Sequence, residues 1–412
     1  MTSVVESRFP EAGPVEVSQL LHQLRQPPPG GPLTVGDPRV VEFLIAFARR
    51  LLAPATARRY PELASLGFFL RRSEIDRALG RVVPQSGVLR FPRGLVFHVP
   101  PANVDTIFVY SWALSALAGN HNVVRISARS AGAADVVLAA LQKAATDAHP
   151  AVAATQRLIT YGREDEVTAA FSSSCDLRVI WGGDRAVSEI RRHPVAPHAR
   201  DLTFPDRSSF AVLSVEGWQA ADDAARQDAV IGFANDSYWF DQNACASPRA
   251  VYWVGPADGA QAVRDEFFSR LAQVVAERHF AVDTSMAVEK IVATYGLAIN
   301  DVAATVQFDG NGVAVATLRH PALVPRRWLG AGTFPECRVE SLSALVEVVT
   351  RKDQTLAAFG FTADELTRFV EQAGHRGIDR VVPFGSALSF DAIWDGYDLI
   401  PEFSRLTTVR TA

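Results

Sequence analysis

From about residue 91 to residue 193, short β-branched and aromatic runs alternate with helical stretches, and this alternation restricts the fold more than any other pattern in the chain. "GLVFHV", "NVVRIS", "QRLITYG" and "DLRVIWGG" read as strands. "VDTIFVYSWALSALAG", "SAGAADVVLAALQKAATDA", "REDEVTAAFSSS" and "DRAVSEIRRH" read as the helices between them. Strands joined through helices of roughly 10 to 19 residues form right-handed crossovers, so they lie parallel with helices on both faces. The expected result is an α/β chain with a doubly wound nucleotide-binding domain over 91–210. A second α/β domain is expected over 211–385, beginning at "SSFAVLSV" and including a strand at 250–254. Within it "FDGNGVAV" predicts a hairpin, because Asn311-Gly312 suits a type I′ turn. Residues 1–90 read as a helical lead-in broken by "QPPPGGP", and 386–412 as an apolar tail that packs back on the body.

Composition excludes several classes of function. Hydrophobic residues at 48%, charged residues at 21% and a net charge of −4 describe an ordinary globular chain with no general attraction for nucleic acid. The longest apolar stretch, "TIFVYSWALSALAG", is shorter than the roughly 20 residues that cross a bilayer. "MTSVVESRFPEAG" has no basic segment followed by an apolar one, so a cytoplasmic location is expected. The three cysteines, Cys175, Cys245 and Cys337, have no CxxC spacing; neither a disulfide framework nor a metal site is expected.

Four segments could carry chemistry. In "WFDQNACASPRAVYWVG", residues 239–255, Cys245 lies among small and polar residues at the mouth of a strand. A structural cysteine more often sits inside an apolar run; Cys175 and Cys337 stand beside apparent strand starts, "CDLRVI" and "CRVESL", where packing suffices as an explanation. Small neighbours leave room for a carbonyl to reach the sulfur, and nearby backbone N–H groups can hold an oxyanion. In "HVPPANVDTIF", Asn103 follows a strand and precedes a helix; it is either a helix-start residue or an amide donor to an oxyanion. His98 in the same segment is either a core histidine or a substrate contact. "NVVRISARSA" offers Arg125, Ser127 and Arg129 near the position that reads the adenosine ribose, with no carboxylate, so either a solvated edge or a 2′-phosphate contact follows. "WGGD" places Gly182 and Gly183 between a strand and a helix, where backbone amides can meet phosphate or ribose, although the GxGxxG fingerprint is absent.

Together these segments resemble the aldehyde dehydrogenase superfamily, and within it the acyl-CoA reductase (LuxC-like) branch, from about residue 90 to the C-terminus. "GLVFHVPPANVDTIFVYSWALSALAGNHNVVRISARS" is similar to the superfamily's strand, Pro-x-Asn turn, helix and "AGN-x-VV" strand. "FDQNACASP" is similar to its nucleophile segment, and "WDGYDLIPEFSRLT" to its closing segment. The resemblance implies an oxidoreductase that reduces a fatty acyl thioester to the aldehyde with NADPH, or NADH in its place, through a cysteine acyl-enzyme. Cys245 falls on the nucleophile and Asn103 on the oxyanion amide. Pro100, Arg125, Ser127, Arg129, Gly182 and Gly183 fall in the cofactor segments. "GTFPECRV" places Phe334 near the nicotinamide ribose. The implied partners are acyl-CoA or an acyl-carrier protein, further copies of the chain, and an acyl-activating or aldehyde-consuming enzyme. One departure is informative. Hydrolytic relatives carry a Glu-Leu-Gly-Gly segment whose glutamate activates water, whereas "LTFPDRSSFAVL" has no such glutamate and only Asp206 as a carboxylate. Ordinary NAD(P)-dependent aldehyde oxidation and a non-catalytic acyl-binding role are the alternatives.

Overall fold

The strands expected from the alternating pattern form the middle of a seven-stranded sheet. The structure is a computed structural model that describes residues 3–101, 107–127, 132–280 and 283–411. In chain order its first strands are β1 (Val4–Phe9), β2 (Gly13–Glu16), β3 (Val88–Pro92), β4 (Leu95–Val99), β5 (His121–Ile126), β6 (Gln156–Thr160), β7 (Leu177–Trp181) and β8 (Arg200–Phe204). The sheet order is β2-β1-β6-β5-β4-β7-β8, parallel from β6 to β8 and antiparallel at β1 and β2. β4 and β7 are buried along their whole length, as strands covered on both faces must be.

The 1–90 segment differs from a purely helical lead-in. Its helices are present, but "VVESRF" and "GPVE" form the β1–β2 hairpin on the sheet. Pairing of β1 with β6 satisfies backbone groups that would otherwise be left at the sheet edge. Residues 1–205 and 390–412 therefore make one unit, and 206–389 a second.

In the second unit the strands are β9 (Ser208–Ser214), β10 (Pro248–Val254), β11 (Ala303–Asp309), β12 (Val313–Leu318), β13 (Thr333–Val339), β14 (Asp353–Phe359) and β15 (Arg380–Pro383). They form a sheet of order β11-β12-β13-β10-β9-β14-β15, all parallel except the β11–β12 hairpin at "FDGNGVAV". Trp218, Phe233 and Phe267 belong to one core cluster, and Phe210, Tyr252 and Phe369 to another. The chain then returns to the first unit through β16 (Ile393–Trp394), β17 (Tyr397–Asp398) and β18 (Ser404–Thr408), which pairs antiparallel with β3.

The "AGNHN" motif acquires a structural meaning in the first unit. Gly119 takes φ +84 at the end of the Ile107–Leu117 helix, where a Cβ would lie 2.8 Å from the Thr34 carbonyl oxygen. Asn120 then accepts from the Gly94 N–H (3.0 Å) and donates to the Phe403 carbonyl (2.8 Å), joining the start of β4 to the returning tail. Asn122 donates to Gln156 Oε1 (2.8 Å), and its Oδ1 accepts from Ser115 (2.6 Å). The Trp112 indole also donates to Gln156 Oε1, at 2.8 Å. His98 is fully buried in this network, 3.0 Å from Asn122 Oδ1 and 3.2 Å from Ser111 Oγ. The oxygen at Asn122 requires Nε2 to carry the proton, so the imidazole is neutral and Nδ1 accepts from Ser111.

Burial pushes the His98 pKa down to about 4 from the usual 6.5. A depressed histidine contributes stability that is complete above the unfolded value and is lost as pH falls towards the folded one. The unfolding free energy is expected to drop by about 3 kcal/mol between pH 6.5 and pH 4 from this group alone. Urea titrations across that range check it: His98→Gln should flatten the pH dependence, and an unchanged slope would refute the assignment.

Candidate active site

Cys245 sits in the loop between the Asp223–Tyr238 helix and β10, half-buried, while Cys175 and Cys337 are buried. Burial pushes the Cys175 thiol up to about 12 and the Cys337 thiol up to about 11, so neither supplies a thiolate at neutral pH. Among the three thiols, only Cys245 is not buried.

Its loop is a tightly bonded turn. Asp241 (φ 50) and Gln242 (φ 56) both adopt the left-handed conformation, which reverses the chain at the helix end. The Gln242 N–H donates to Ser237 O (2.8 Å) and the Asn243 N–H to Phe240 O (2.7 Å). The buried Gln242 carboxamide then bridges two strands. Its oxygen accepts from the Thr333 N–H (3.0 Å), and its nitrogen donates to Pro248 O (3.0 Å) and Thr333 O (3.3 Å). The Trp328 indole holds the Asp241 carbonyl at 2.7 Å.

Arg249, buried in β10, completes the clamp. Its guanidinium donates to the carbonyls of Gln242 (3.1 Å), Asn243 (3.3 Å) and Arg326 (3.4 Å). A buried cation must be solvated by protein groups, and here backbone carbonyls of the turn do so. Ser209 on β9 accepts from the Thr355 N–H (3.1 Å) and donates to the Cys245 carbonyl at 2.6 Å. The Ser247 N–H closes a turn on Ala244 O (3.1 Å) with Cys245 and Ala246 at its centre. In a trans peptide the following N–H points opposite to the carbonyl. Anchoring the Asn243 and Cys245 carbonyls therefore turns the N–H groups of Ala244 and Ala246 away from Arg249 and Ser209.

Ser209, Gln242, Arg249 and Trp328 were not singled out by motif reading. One signal was available: Arg249 interrupts an apolar strand, "SPRAVYWV", and a charge there demands buried partners. The Asp206 carboxylate of "LTFPDRSSFAVL" pairs with Lys352 at 3.2 Å, and Arg207 pairs with Asp379.

The cofactor candidates converge on one edge of the first unit's sheet. β4 leads through the Ile107–Leu117 helix to β5 on one side, and β7 through the Asp184–Arg191 helix to β8 on the other. Neighbouring strands whose connections diverge open a crevice at their carboxyl ends, the usual ligand position in such sheets. Pro100 follows β4, Arg125 and Ser127 end β5, and Gly182 and Gly183 follow β7. Gly182 has φ +152 and donates to Phe204 O at 3.1 Å. A Cβ on Gly183 would meet nothing within 4 Å, so the space before the helix is open to a ligand. Arg125 donates to Gly162 O (2.5 Å) with its guanidinium 4.6 Å from the Tyr161 ring centre. These features fit a dinucleotide. Asn103 and Arg129 lie outside the described residues. Phe334 is fully enclosed with Phe233, Tyr238 and Phe268 around it, a packing position in β13 with no surface left to meet a ribose. His98 is likewise a core residue.

The clamp gives a test of the turn. Gln242→Leu keeps the volume but removes three hydrogen bonds, and is expected to lower stability by about 2–4 kcal/mol. Native-state alkylation of Cys245 by iodoacetamide, followed by mass spectrometry, should become faster, while Cys175 and Cys337 stay protected. Unchanged stability and labelling would show that the turn holds itself.

Comparison with known proteins places these observations. A family model described as acyl-CoA reductase (LuxC) matches residues 79–314. The long-chain acyl-protein thioester reductase of Vibrio harveyi is 28% identical over 170 residues, 41% of this chain and 34% of that protein. Long-chain acyl-protein thioester reductase 2 of Photobacterium leiognathi is 27% identical over 187 residues, 45% of this chain and 36% of that protein. The matches thus span about a third of each relative's length. Among solved structures, an NADP-dependent enzyme of E. coli superposes with a TM-score of 0.68 at 15% identity, covering 99% of this chain and 94% of that one. An aldehyde dehydrogenase of Brucella melitensis biovar abortus gives 0.66 at 14% identity, covering 99% and 93%. The fold is that of the aldehyde dehydrogenases, and with more than half of its 412 residues matched by the family model, the chain belongs to the acyl-CoA reductase (LuxC) family.

Proposed function

We propose that this protein reduces an acyl thioester to an aldehyde, with Cys245 carrying the acyl group between two steps. The observation that carries this reading is the contrast among the three thiols: two buried and held protonated, one half-buried in a turn that four side chains, Ser209, Gln242, Arg249 and Trp328, hold in place. The Cys245 sulfur attacks the thioester carbonyl, the bond to the carrier sulfur breaks, and the carrier leaves as a thiol. The Ala244 and Ala246 N–H groups, turned away from Arg249 and Ser209, are the turn's candidates to stabilise the oxyanion formed in that attack, and the motif resemblance adds the Asn103 amide.

A nicotinamide dinucleotide, when bound, supplies the hydride that converts the acyl carbon to the aldehyde as the carbon–Cys245 bond breaks. Pro100, Gly182 and Gly183 would hold it at the β4–β7 crevice, and Arg125, Ser127 and Arg129 would be the side chains to meet its adenosine ribose. Two arginines and no carboxylate in "RISARS" support NADPH over NADH. The relatives' names, which specify a long-chain acyl-protein thioester, and the family description, which specifies acyl-CoA, support a long acyl chain on a carrier protein or CoA.

Two outcomes test this reading. Cys245→Ala is expected to abolish acyl-enzyme formation from long-chain acyl-CoA, detected by intact-protein mass spectrometry, together with NADPH consumption; acyl transfer persisting in the variant would sink the assignment. In reverse, aldehyde oxidation should depend on added CoA or another thiol, stalling near one equivalent per site without it. A thiol needs little activation, whereas general-base help to water typically contributes 10²- to 10⁴-fold, and Asp206 is already paired with Lys352. Sustained turnover to free acid without thiol would instead identify an ordinary aldehyde dehydrogenase.

A further inference from the structure

The segment from Arg326 to Trp328 lies against the turn that carries Cys245, and both of its ends are fixed. The Arg326 carbonyl accepts from Arg249 (3.4 Å), and the Arg326 guanidinium meets both carboxylate oxygens of Asp353 (3.0 and 2.8 Å). The Trp328 indole donates to the Asp241 carbonyl (2.7 Å). Arg327 stands between these two anchors and is exposed.

The cations at the starts of β9, β10 and β14 are answered within the protein. Lys352 pairs with Asp206 (3.2 Å), Arg207 and Arg351 share Asp379, and Arg249 is met by carbonyls. Among the described residues Arg327 has no such partner. Its backbone is held while its donors are unspent, and a guanidinium in that state suits phosphate, whose oxygens it binds in pairs.

Its place adds to the charge. Four residues lead from Asp241, which Trp328 holds, to Cys245, at most about 14 Å of extended chain. CoA and the prosthetic group of carrier proteins share one pantetheine arm, with the thioester sulfur at one end and a phosphate at the other. That phosphate is the charged group common to both carriers, and the acyl chain has none. We propose that Arg327 binds the phosphate at the far end of the pantetheine arm and so holds the carrier while its sulfur lies at Cys245. The assignment rests on the thioester reduction proposed above.

Isothermal titration with desulfo-CoA, which has the arm and its phosphates but no sulfur, reads this contact apart from any chemistry. Arg327→Gln is expected to weaken binding about tenfold or more, and Arg327→Lys less, since it keeps the charge but loses the fork. In turnover, Arg327→Gln should raise KM for acyl-CoA and for acyl-phosphopantetheine by a similar factor, with kcat little changed. The matching N-acetylcysteamine thioester, which has no phosphate, should show no such rise. Losses with both phosphorylated substrates support the shared phosphate as the contact, and the lower wild-type KM of the two tells which carrier supplies it. Circular dichroism confirms that each variant is folded. Desulfo-CoA binding that is absent in the wild type or unchanged in Arg327→Gln would overturn the proposal. So would an equal loss with the N-acetylcysteamine thioester, or a loss with acyl-CoA alone, which would move the contact to the nucleotide. Binding that depends on Arg327 in a protein that transfers no acyl group to Cys245 would keep the phosphate site and overturn the reductase reading instead.

Discussion

The turn that carries Cys245 depends on a buried positive charge. Arg249 is buried in β10, so its guanidinium must be met largely by protein dipoles. The carbonyls of Gln242 and Asn243 supply them, and the chain can present both only by reversing through two consecutive left-handed residues. Gln242 makes that reversal permanent by spanning the starts of β10 and β13 through its carboxamide. Ser209 then fixes the Cys245 carbonyl itself. Several modest hydrogen bonds, each worth about 1 kcal/mol net, act on one six-residue stretch. Their value lies in direction, since each anchored carbonyl sets the peptide plane that follows it.

Preorganisation of this kind suits covalent catalysis. Dipoles already aimed at a developing charge need no reorganisation when the charge appears. A free loop would have to spend ordering entropy at that moment. The same constraint explains the contrast among the cysteines. Cys175 and Cys337 have no comparable turn; they sit in apolar cores, where burial keeps the sulfur protonated and inert.

The first unit rests on a different constraint: a polar network sealed inside an apolar layer. Asn120, Asn122, Gln156, Ser115, Trp112 and His98 satisfy one another and join β4, β5, β6 and the returning tail. A sealed network leaves little room for alternative registers, because any slip strands a buried polar group. It thereby sets the carboxyl ends of β4, β5 and β7 relative to each other, and those ends carry Pro100, Arg125 and Gly182. The two asparagines of "AGNHN" are thus framework residues of the sheet edge proposed to take the cofactor.

Much of this was readable from the chain. Periodicity located β4, β5, β6, β7, β9 and β10 and the helices between them, because strands covered on both faces leave continuous apolar runs and their crossover helices leave a 3.6-residue repeat. The small residues around Cys245 singled out the one cysteine that is not buried, and the absence of a Glu-Leu-Gly-Gly segment led to the expectation of reductase rather than hydrolytic chemistry. Other features were not local enough to read. The β1–β2 hairpin was missed because its partner, β6, lies some 150 residues away. Phe334 resembled a cofactor contact by motif, yet it points into the core, since neighbours in sequence do not determine which face of a strand is sealed. His98 and Lys290 are polar in type, and only packing made one a neutral core residue and the other an inward anchor. Local pattern determined which elements form and which residue types stand at their ends. Burial and long-range hydrogen bonding, which depend on partners hundreds of residues apart, decided which of those residues are free to do chemistry.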